Sequence, residues 1–147
     1  MTQTFEAMNG LFLEDLKVGQ SAMFGRTVTD ADIAAFAGVS GDTNPIHLHD
    51  GFARTTRFGK RIAHGMLSGS FISTVIGTKL PGPGCIYLSQ SLKFKAPVRI
   101  GDTVKARVTV TAIDPKGRVT FATTCHVGDT LVLDGEAQLM VPRRPAA

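Results

Sequence analysis

The stretch Met66–Leu80, MLSGSFISTVIGTKL, decides the fold because it predicts one long buried helix. Its large apolar residues recur at the three- and four-residue spacing of a single helix face; they are Leu67, Phe71, Ile72, Val75 and Ile76. The sequence Pro81-Gly82-Pro83-Gly84 follows directly. Proline interrupts helical hydrogen bonding and glycine favours turns, so these four residues predict the end of the helix.

A second face of this helix carries only small side chains, namely Ser70, Ser73, Thr74 and Gly77. Small residues let another element or a ligand approach the helix closely. We therefore predict that this face borders either the surrounding sheet or a substrate chain.

Alternating apolar and polar residues predict strands on both sides of the helix. A weakly alternating strand is predicted over Ser21–Val28, and clearer ones over Ile86–Phe94, Val104–Thr111, Val119–Cys125 and Leu131–Val141. A single buried helix beside about five antiparallel strands indicates an α+β fold, with the sheet curled around the helix.

Two shorter helices are predicted before the long one. Thr29 and Asp32 form a plausible capping pair for the first, which we expect to stop at Gly38. Asp50 is the expected cap of the second, which we expect to end near Gly59. The segment between them, Ser40–His47, is predicted to be a loop dense in polar groups.

Length and composition limit the class of protein. The chain has 147 residues, which predicts a single domain spanning 1–147. With 43% hydrophobic and 19% charged residues, it is not an intrinsically disordered chain. The net charge of +4 suits a phosphate-bearing ligand. Basic and aromatic residues do not interleave in a run, so a nucleic-acid partner is not expected.

The sequence favours a cytoplasmic protein with no membrane partner. The first 19 residues contain acidic side chains and no basic segment, so we expect no signal peptide. The least charged stretch, Ile62–Thr78, is too short and too polar to span a bilayer. Cys85 and Cys125 lack the spacing of a metal or redox motif, and we expect buried reduced thiols.

The most concentrated chemistry lies in Ser40–His47, SGDTNPIH. A carboxylate at Asp42 and an imidazole at His47 can act as a general acid–base pair if a bend brings both into one pocket. Asn44 either orients these groups or holds the segment through side-chain to backbone hydrogen bonds. The alternative is that Asp42, Asn44 and Pro45 only form a turn.

Two further features near this segment are candidates for function. His47 and His49 form an H-x-H pair, but His64 and His126 complete no recognisable ligand spacing, so we expect no metal. Gly65 stands at the start of the long helix, where unpaired N–H groups and the helix dipole favour a developing negative oxygen. The alternative for Gly65 is that it only permits the turn into the helix.

Basic residues form two groups along the chain: Arg54, Arg57, Lys60 and Arg61, and then Lys93, Lys95 and Arg99. Any single one is expected to lie on a solvated surface. Together they suit an anionic ligand that carries several phosphates.

Several separated motifs resemble the MaoC-like dehydratases, the family of the (R)-specific enoyl-CoA hydratases. They are Ser40–His47 followed by Phe52-Ala53, then Ile62–Met66, and then Gln90–Val98. The resemblance runs from about Val18 to Val141. It implies a hot-dog fold, in which a curved antiparallel sheet wraps a central helix, and a homodimer.

The resemblance also implies the reversible hydration of a trans-2-enoyl-CoA to an (R)-3-hydroxyacyl-CoA, a hydro-lyase reaction without metal or redox cofactor. It places the catalytic pair on Asp42 and His47 and the oxyanion-binding N–H on Gly65. It gives Ser73 a hydroxyl that supports the site. We expect Asn44 and Ser73 to contact the substrate.

Two other functions remain open on the same fold. A hot-dog thioesterase would hydrolyse the thioester, and a non-catalytic module would only bind an acyl-CoA. The carrier is either coenzyme A or acyl carrier protein, and the pathway is either storage-polyester supply or fatty-acid metabolism.

Overall fold

The computed structural model describes residues 5–146, so the ends of the predicted 1–147 domain, residues 1–4 and 147, lie outside it. Two 3₁₀ turns, Phe5–Met8 and Leu13–Asp15, precede the first strand. The helices are α1 (Asp30–Ser40), α2 (Pro45–Leu48), α3 (Asp50–Arg54) and α4 (Gly65–Thr78). The strands are β1 (Ser21–Thr27), β2 (Ile86–Gln90), β3 (Lys93–Phe94), β4 (Thr103–Ile113), β5 (Arg118–Val127) and β6 (Thr130–Met140).

The described strands form one open antiparallel sheet in the order β1-β4-β5-β6-β2, with β3 also paired to β6. Residues that alternate in the sequence alternate in burial: Val104, Ala106, Val108 and Val110 of β4 are all buried. The predicted face of β5 from Val119 to Cys125 is buried as well. The α+β prediction is confirmed, and the sheet has the hot-dog arrangement.

Helix α4 packs against the inner face of β1, β4, β5 and β6. All five of its predicted core residues are buried, and Ile72 and Val75 are fully inaccessible. Burial of each such side chain stabilises the fold by about 1.5–3 kcal/mol. The helix ends at Thr78 rather than at the predicted Leu80. Leu80 precedes Pro81, and the proline ring disfavours helical geometry in the residue before it.

The capping pair predicted for α1 is confirmed. The Thr29 side chain accepts the Asp32 N–H, and the Asp32 carboxylate accepts the Thr29 N–H, both at 3.1 Å. The predicted stop at Gly38 is wrong, because the helix continues to Ser40. Gly41 adopts the left-handed conformation that ends it, with φ +78°.

The predicted second short helix is also shorter than expected. Helix α3 ends at Arg54 and does not reach Gly59, and its N-cap is His49 rather than Asp50. The ring nitrogen Nδ1 of His49 accepts the Phe52 N–H at 3.0 Å. The His49 imidazole therefore caps the helix, in place of the Asp50 carboxylate that the sequence predicted.

The strand predicted over Ile86–Phe94 is divided into β2 and β3, which gives six strands instead of about five. The division falls at Ser91. Its hydroxyl oxygen accepts the Glu136 N–H at 3.0 Å, in place of a backbone carbonyl. A side chain therefore interrupts the ladder while the chain still follows β6.

Gly135 permits this close approach of β6 to Ser91. A Cβ built on Gly135 would lie 1.8 Å from the Ser91 carbonyl oxygen, a backbone atom that cannot rotate away.

Among the described residues, no helix is long and apolar enough to cross a membrane. Cys125 is buried and Cys85 is half-buried, and neither is in a disulfide.

We predict that Gly135→Ala lowers the free energy of unfolding by about 1–3 kcal/mol, because the methyl group forces β6 away from Ser91. Gly25→Ala is the matched control, since Gly25 is also in a strand and nothing lies within 4 Å of its built Cβ. Urea titration followed by circular dichroism measures both. Equal stabilities of the two variants would contradict the proposed clash.

Candidate active site

The Asp42 and His47 side chains are positioned by a left-handed turn and a one-turn helix. After Gly41 the chain leaves α1, and the Asp42 N–H donates to the Ser40 hydroxyl at 3.1 Å. The Asn44 side chain then caps α2 by accepting the Ile46 N–H at 3.0 Å, and Pro45 occupies the first helical position. The predicted loop is thus wrong at its end, where His47 lies on α2. Asn44 was expected either to orient the functional groups or to hold the segment through backbone hydrogen bonds, and the structure shows the backbone hydrogen bond.

The His47 imidazole is buried, and its Nδ1 lies 2.7 Å from the Ile62 carbonyl oxygen. Because a carbonyl oxygen only accepts hydrogen bonds, Nδ1 carries the proton of the neutral ring. Nε2 is then left with a lone pair. A fixed tautomer of this kind prepares an imidazole to take a proton at Nε2.

His64 joins this pair, which the sequence analysis did not predict. Ligand-type atoms of Asp42, His47 and His64 lie within 4.8 Å of one another. The His64 ring stacks on the His47 ring with 3.8 Å between centroids and 26° between planes. One sequence feature could have indicated His64, namely that it directly precedes Gly65, which was already a candidate site residue.

Among the described residues, the side chains of Asp42, His47 and His64 form the group that could hold a metal ion. Tetrahedral coordination requires lone pairs that converge on one point. The two stacked rings lie in nearly parallel planes, so their in-plane lone pairs do not converge. His49 stands apart as the cap of α3. The arrangement therefore suits proton transfer better than metal binding.

Gly65 is the first residue of α4, so its N–H is one of the four that have no acceptor within the helix. Gly65 lines a cavity of about 460 Å³ together with His47 and His64. Apolar side chains, including Phe58, Phe94 and Leu133, form much of the remaining wall. The cavity therefore presents both the N-terminus of α4 and the His47 side chain to a bound molecule.

Ser73 lies elsewhere. It is exposed on α4 and does not line this cavity, whose α4 contributors are Gly65, Met66 and Ser68. The remaining small face is also largely exposed in the single chain. The supporting role of Ser73 and the contact of the small face with a substrate chain stay predictions, and both require a wall from outside this chain.

Arg61 fixes the three short helices relative to one another. Its guanidinium binds Asp30 of α1 at 2.9 Å and Asp50 of α3 at 3.0 Å. It also donates to the His47 carbonyl of α2 at 3.3 Å. The hydrogen bond to Asp30 is the main reason that the pKa of Arg61 is raised above its usual value. This residue therefore stabilises the backbone that carries His47.

The two basic groups of the sequence meet in the structure. Arg57 and Lys95 line the cavity that contains His47. A neighbouring cavity of about 290 Å³ is lined by Arg54, Lys60, Arg61 and Arg99. Asp50 also lines the second cavity and pairs with Arg61, so the basic residues outnumber the acidic one there.

The amino-acid sequence is similar to those of known proteins. The family described as MaoC like domain matches residues 15–130. The chain is 60% identical over 134 residues to the (R)-specific enoyl-CoA hydratase of Rhodospirillum rubrum, covering 90% of this chain and 93% of that protein. It is 49% identical to the 3-hydroxybutyryl-CoA dehydratase of Methylorubrum extorquens, covering 93% and 88%.

Solved structures agree with the sequence relatives. The unliganded R-hydratase PhaJ1 of Pseudomonas aeruginosa superposes with a TM-score of 0.88 at 46% identity. The alignment covers 93% of this chain and 89% of that chain. The similarity therefore extends across the fold and the candidate site.

Proposed function

Because the chain belongs to the MaoC-like domain family, we propose that it is an (R)-specific enoyl-CoA hydratase. It reversibly adds water to a trans-2-enoyl-CoA to give an (R)-3-hydroxyacyl-CoA. The observation that carries the proposal is the grouping of Asp42 and His47 beside the N-terminus of α4, where Gly65 faces the same cavity as His47. The unpaired cysteine thiols fit the proposed cytoplasmic location.

The geometry suggests how the proton transfers are divided. Nε2 of His47 takes a proton from the water whose oxygen bonds to C3, and Asp42 supplies a proton to C2. A proton passing from His47 back to Asp42 restores the starting state, so the net change is the addition of one water. The Gly65 N–H stabilises the thioester oxygen as it gains negative charge, a contribution typically worth about 10²–10³ in rate.

The thioesterase and the non-catalytic module are the competing functions. A hydratase relative at 60% identity and a dehydratase relative at 49% identity favour the hydration reaction over both. Thiol release from crotonyl-CoA, followed with a thiol reagent, separates hydrolysis from hydration. Turnover of either kind excludes a module that only binds.

We predict that Asp42→Asn and His47→Gln each lower kcat for crotonyl-CoA hydration by about 10²–10⁴, because each removes a proton-transfer group while keeping a polar side chain. Loss of the enoyl absorbance reports the rate, and circular dichroism reports folding. Since the two proton transfers belong to one addition of water, the double variant should lose much less than the product of the two losses. His49→Asn is the control, because it alters a nearby imidazole that caps α3. Near-normal kcat in either folded single variant would contradict the assigned roles.

The carrier of the acyl group is proposed to be coenzyme A, with Arg57 and Lys95 attracting its phosphates. Both side chains line the candidate cavity, and neither forms an ion pair among the described residues. Phe58 lies beside the Arg57 guanidinium, whose carbon is 5.5 Å from the ring centroid. This contact holds the cation near the cavity.

We predict that Lys95→Met raises KM for crotonyl-CoA about two- to fivefold at low salt, the scale of one exposed ion pair. Its KM for crotonyl-pantetheine, which lacks the phosphates, should stay at the wild-type value. Lys93→Met is the matched control, because Lys93 is exposed on β3 and does not line the cavity. An equal change in KM for both substrates would argue against a phosphate contact.

The functional unit is proposed to be a homodimer. Strand β2 ends the sheet and exposes Ile86 and Leu88, while Met66 and Phe94 are exposed at the cavity. Unpaired edges and exposed apolar patches are usually covered in native assemblies. A second copy would also supply the missing wall near Ser73.

Light scattering should give twice the chain mass of 15.6 kDa. We predict that Leu88→Lys on β2 shifts the protein toward the monomer and lowers activity with it. Val18→Lys, which adds the same charge at an exposed residue just before β1 at the opposite edge, should leave the dimer intact. A fully active wild-type monomer would refute the proposal.

A further inference from the structure

We infer that His64 is a positioning residue that holds the Asp42 segment and the His47 ring in register with the N-terminus of α4. The inference rests on the proposed hydratase function, for which Asp42, His47 and Gly65 supply the reacting groups. His64 itself is not assigned a proton transfer. Its contribution is geometric, and three independent features of its surroundings support it.

The first feature is that His64 does not cap the helix it precedes. It occupies the N-cap position of α4, yet its side chain makes no capping hydrogen bond. The ring is instead turned into the protein, where it is 2% exposed. Capping residues normally stabilise a helix through the side chain, so this one serves a different contact.

The second feature is the set of contacts that surrounds the ring. The His47 ring stacks on it at 3.8 Å, and the Phe36 ring contacts it with 4.8 Å between centroids. The ring therefore links α1, α2 and the start of α4. Packing of this kind restricts both imidazoles to one orientation.

The third feature is its hydrogen bond to the Asp42 backbone. Nε2 of His64 lies 2.9 Å from the Asp42 carbonyl oxygen, so Nε2 carries the proton and donates it. The other hydrogen bonds of Asp42 reach only to Ser40 and Asn44, two residues away. The bond from His64 spans 22 residues and ties the turn to the N-cap residue of α4.

The remaining nitrogen, Nδ1 of His64, is buried without a hydrogen-bond partner among the described residues. A buried acceptor without a partner opposes folding. An apolar ring would avoid that cost and still fill the space. The Nε2–H donor is the feature that distinguishes His64 from an apolar ring at this position.

Two variants separate the donor from the ring. His64→Phe keeps a ring against Phe36 and His47 but loses the donor, whereas His64→Gln keeps an N–H of similar reach and loses the stack. We expect His64→Phe to lower kcat for crotonyl-CoA about 10²-fold with little change in KM, as a displacement of about 1 Å typically does. His64→Gln should recover about tenfold of that loss, the scale of one restored hydrogen bond.

His126→Gln is the control for loss of an imidazole outside the site and should keep the wild-type kcat. If His64→Phe does not fold, His64→Asn replaces it, because its amide is too short to reach the Asp42 carbonyl oxygen. A folded donor-less variant with wild-type kcat, or equal losses in that variant and His64→Gln, would overturn the inference.

A second pair of measurements tests whether His64 acts through Asp42. In the Asp42→Asn background, His64→Phe should lower kcat far less than 10²-fold, because the group it positions is already inactive. Independently of activity, the amide NMR signals of Asp42, Thr43 and Asn44 should shift in His64→Phe and stay near their wild-type positions in His64→Gln. An inactive wild-type protein would refute the hydratase function, whereas unchanged amide signals in His64→Phe would refute the positioning role alone.

Discussion

Burial of α4 against four strands fixes where its N-terminus lies, and the candidate site is assembled around that N-terminus. Leu67, Phe71, Ile72, Val75 and Ile76 bind the helix to the inner face of the sheet. The orientation of its first turn follows from their packing and not from any contact within the site. Gly65 therefore presents its free N–H in a direction that the core determines, which is the kind of preorganisation that electrostatic stabilisation requires.

The segment between β1 and α4 completes the site, because helix caps formed by residues close in sequence position its polar groups. Gly41 ends α1, Asn44 caps α2, and His49 caps α3, so the direction of the chain changes three times within a few residues. Arg61 then joins these helices through Asp30, Asp50 and the His47 carbonyl. The resulting scaffold brings the Asp42 carboxylate, the His47 imidazole and the N-terminus of α4 together with little regular structure.

Local sequence patterns predicted the elements whose cause is local. Periodicity found α4 and the buried faces of β4 and β5, and the Thr29–Asp32 pair found the start of α1. One pattern failed where a tertiary contact decides, because Ser91 interrupts a strand by bonding to Glu136. The end of α1 was misplaced for a local reason, since Gly41 and not Gly38 adopts the left-handed conformation that ends the helix. His64 was missed because its importance lies in tertiary contacts with residues 17 and 22 positions away.

The candidate site residues divide in the same way. Asp42, His47 and Gly65 were proposed from residue types and from a family resemblance, because the chemistry restricts which side chains can take part. Their mutual distances depend on how α1, α2 and α4 pack, which no local pattern contains. Local sequence patterns could not predict that Ser73 is exposed either, since its exposure depends on which part of α4 the sheet of a single chain leaves uncovered.

The configuration of the product tests the central claim most directly. Purified protein is incubated with crotonyl-CoA, and the 3-hydroxybutyryl-CoA that forms is analysed by chiral chromatography. A site with one base and one oxyanion donor fixed in the same cavity adds water to one face only. We predict that the (R)-enantiomer forms almost exclusively, whereas a racemic or (S)-configured product would contradict the account.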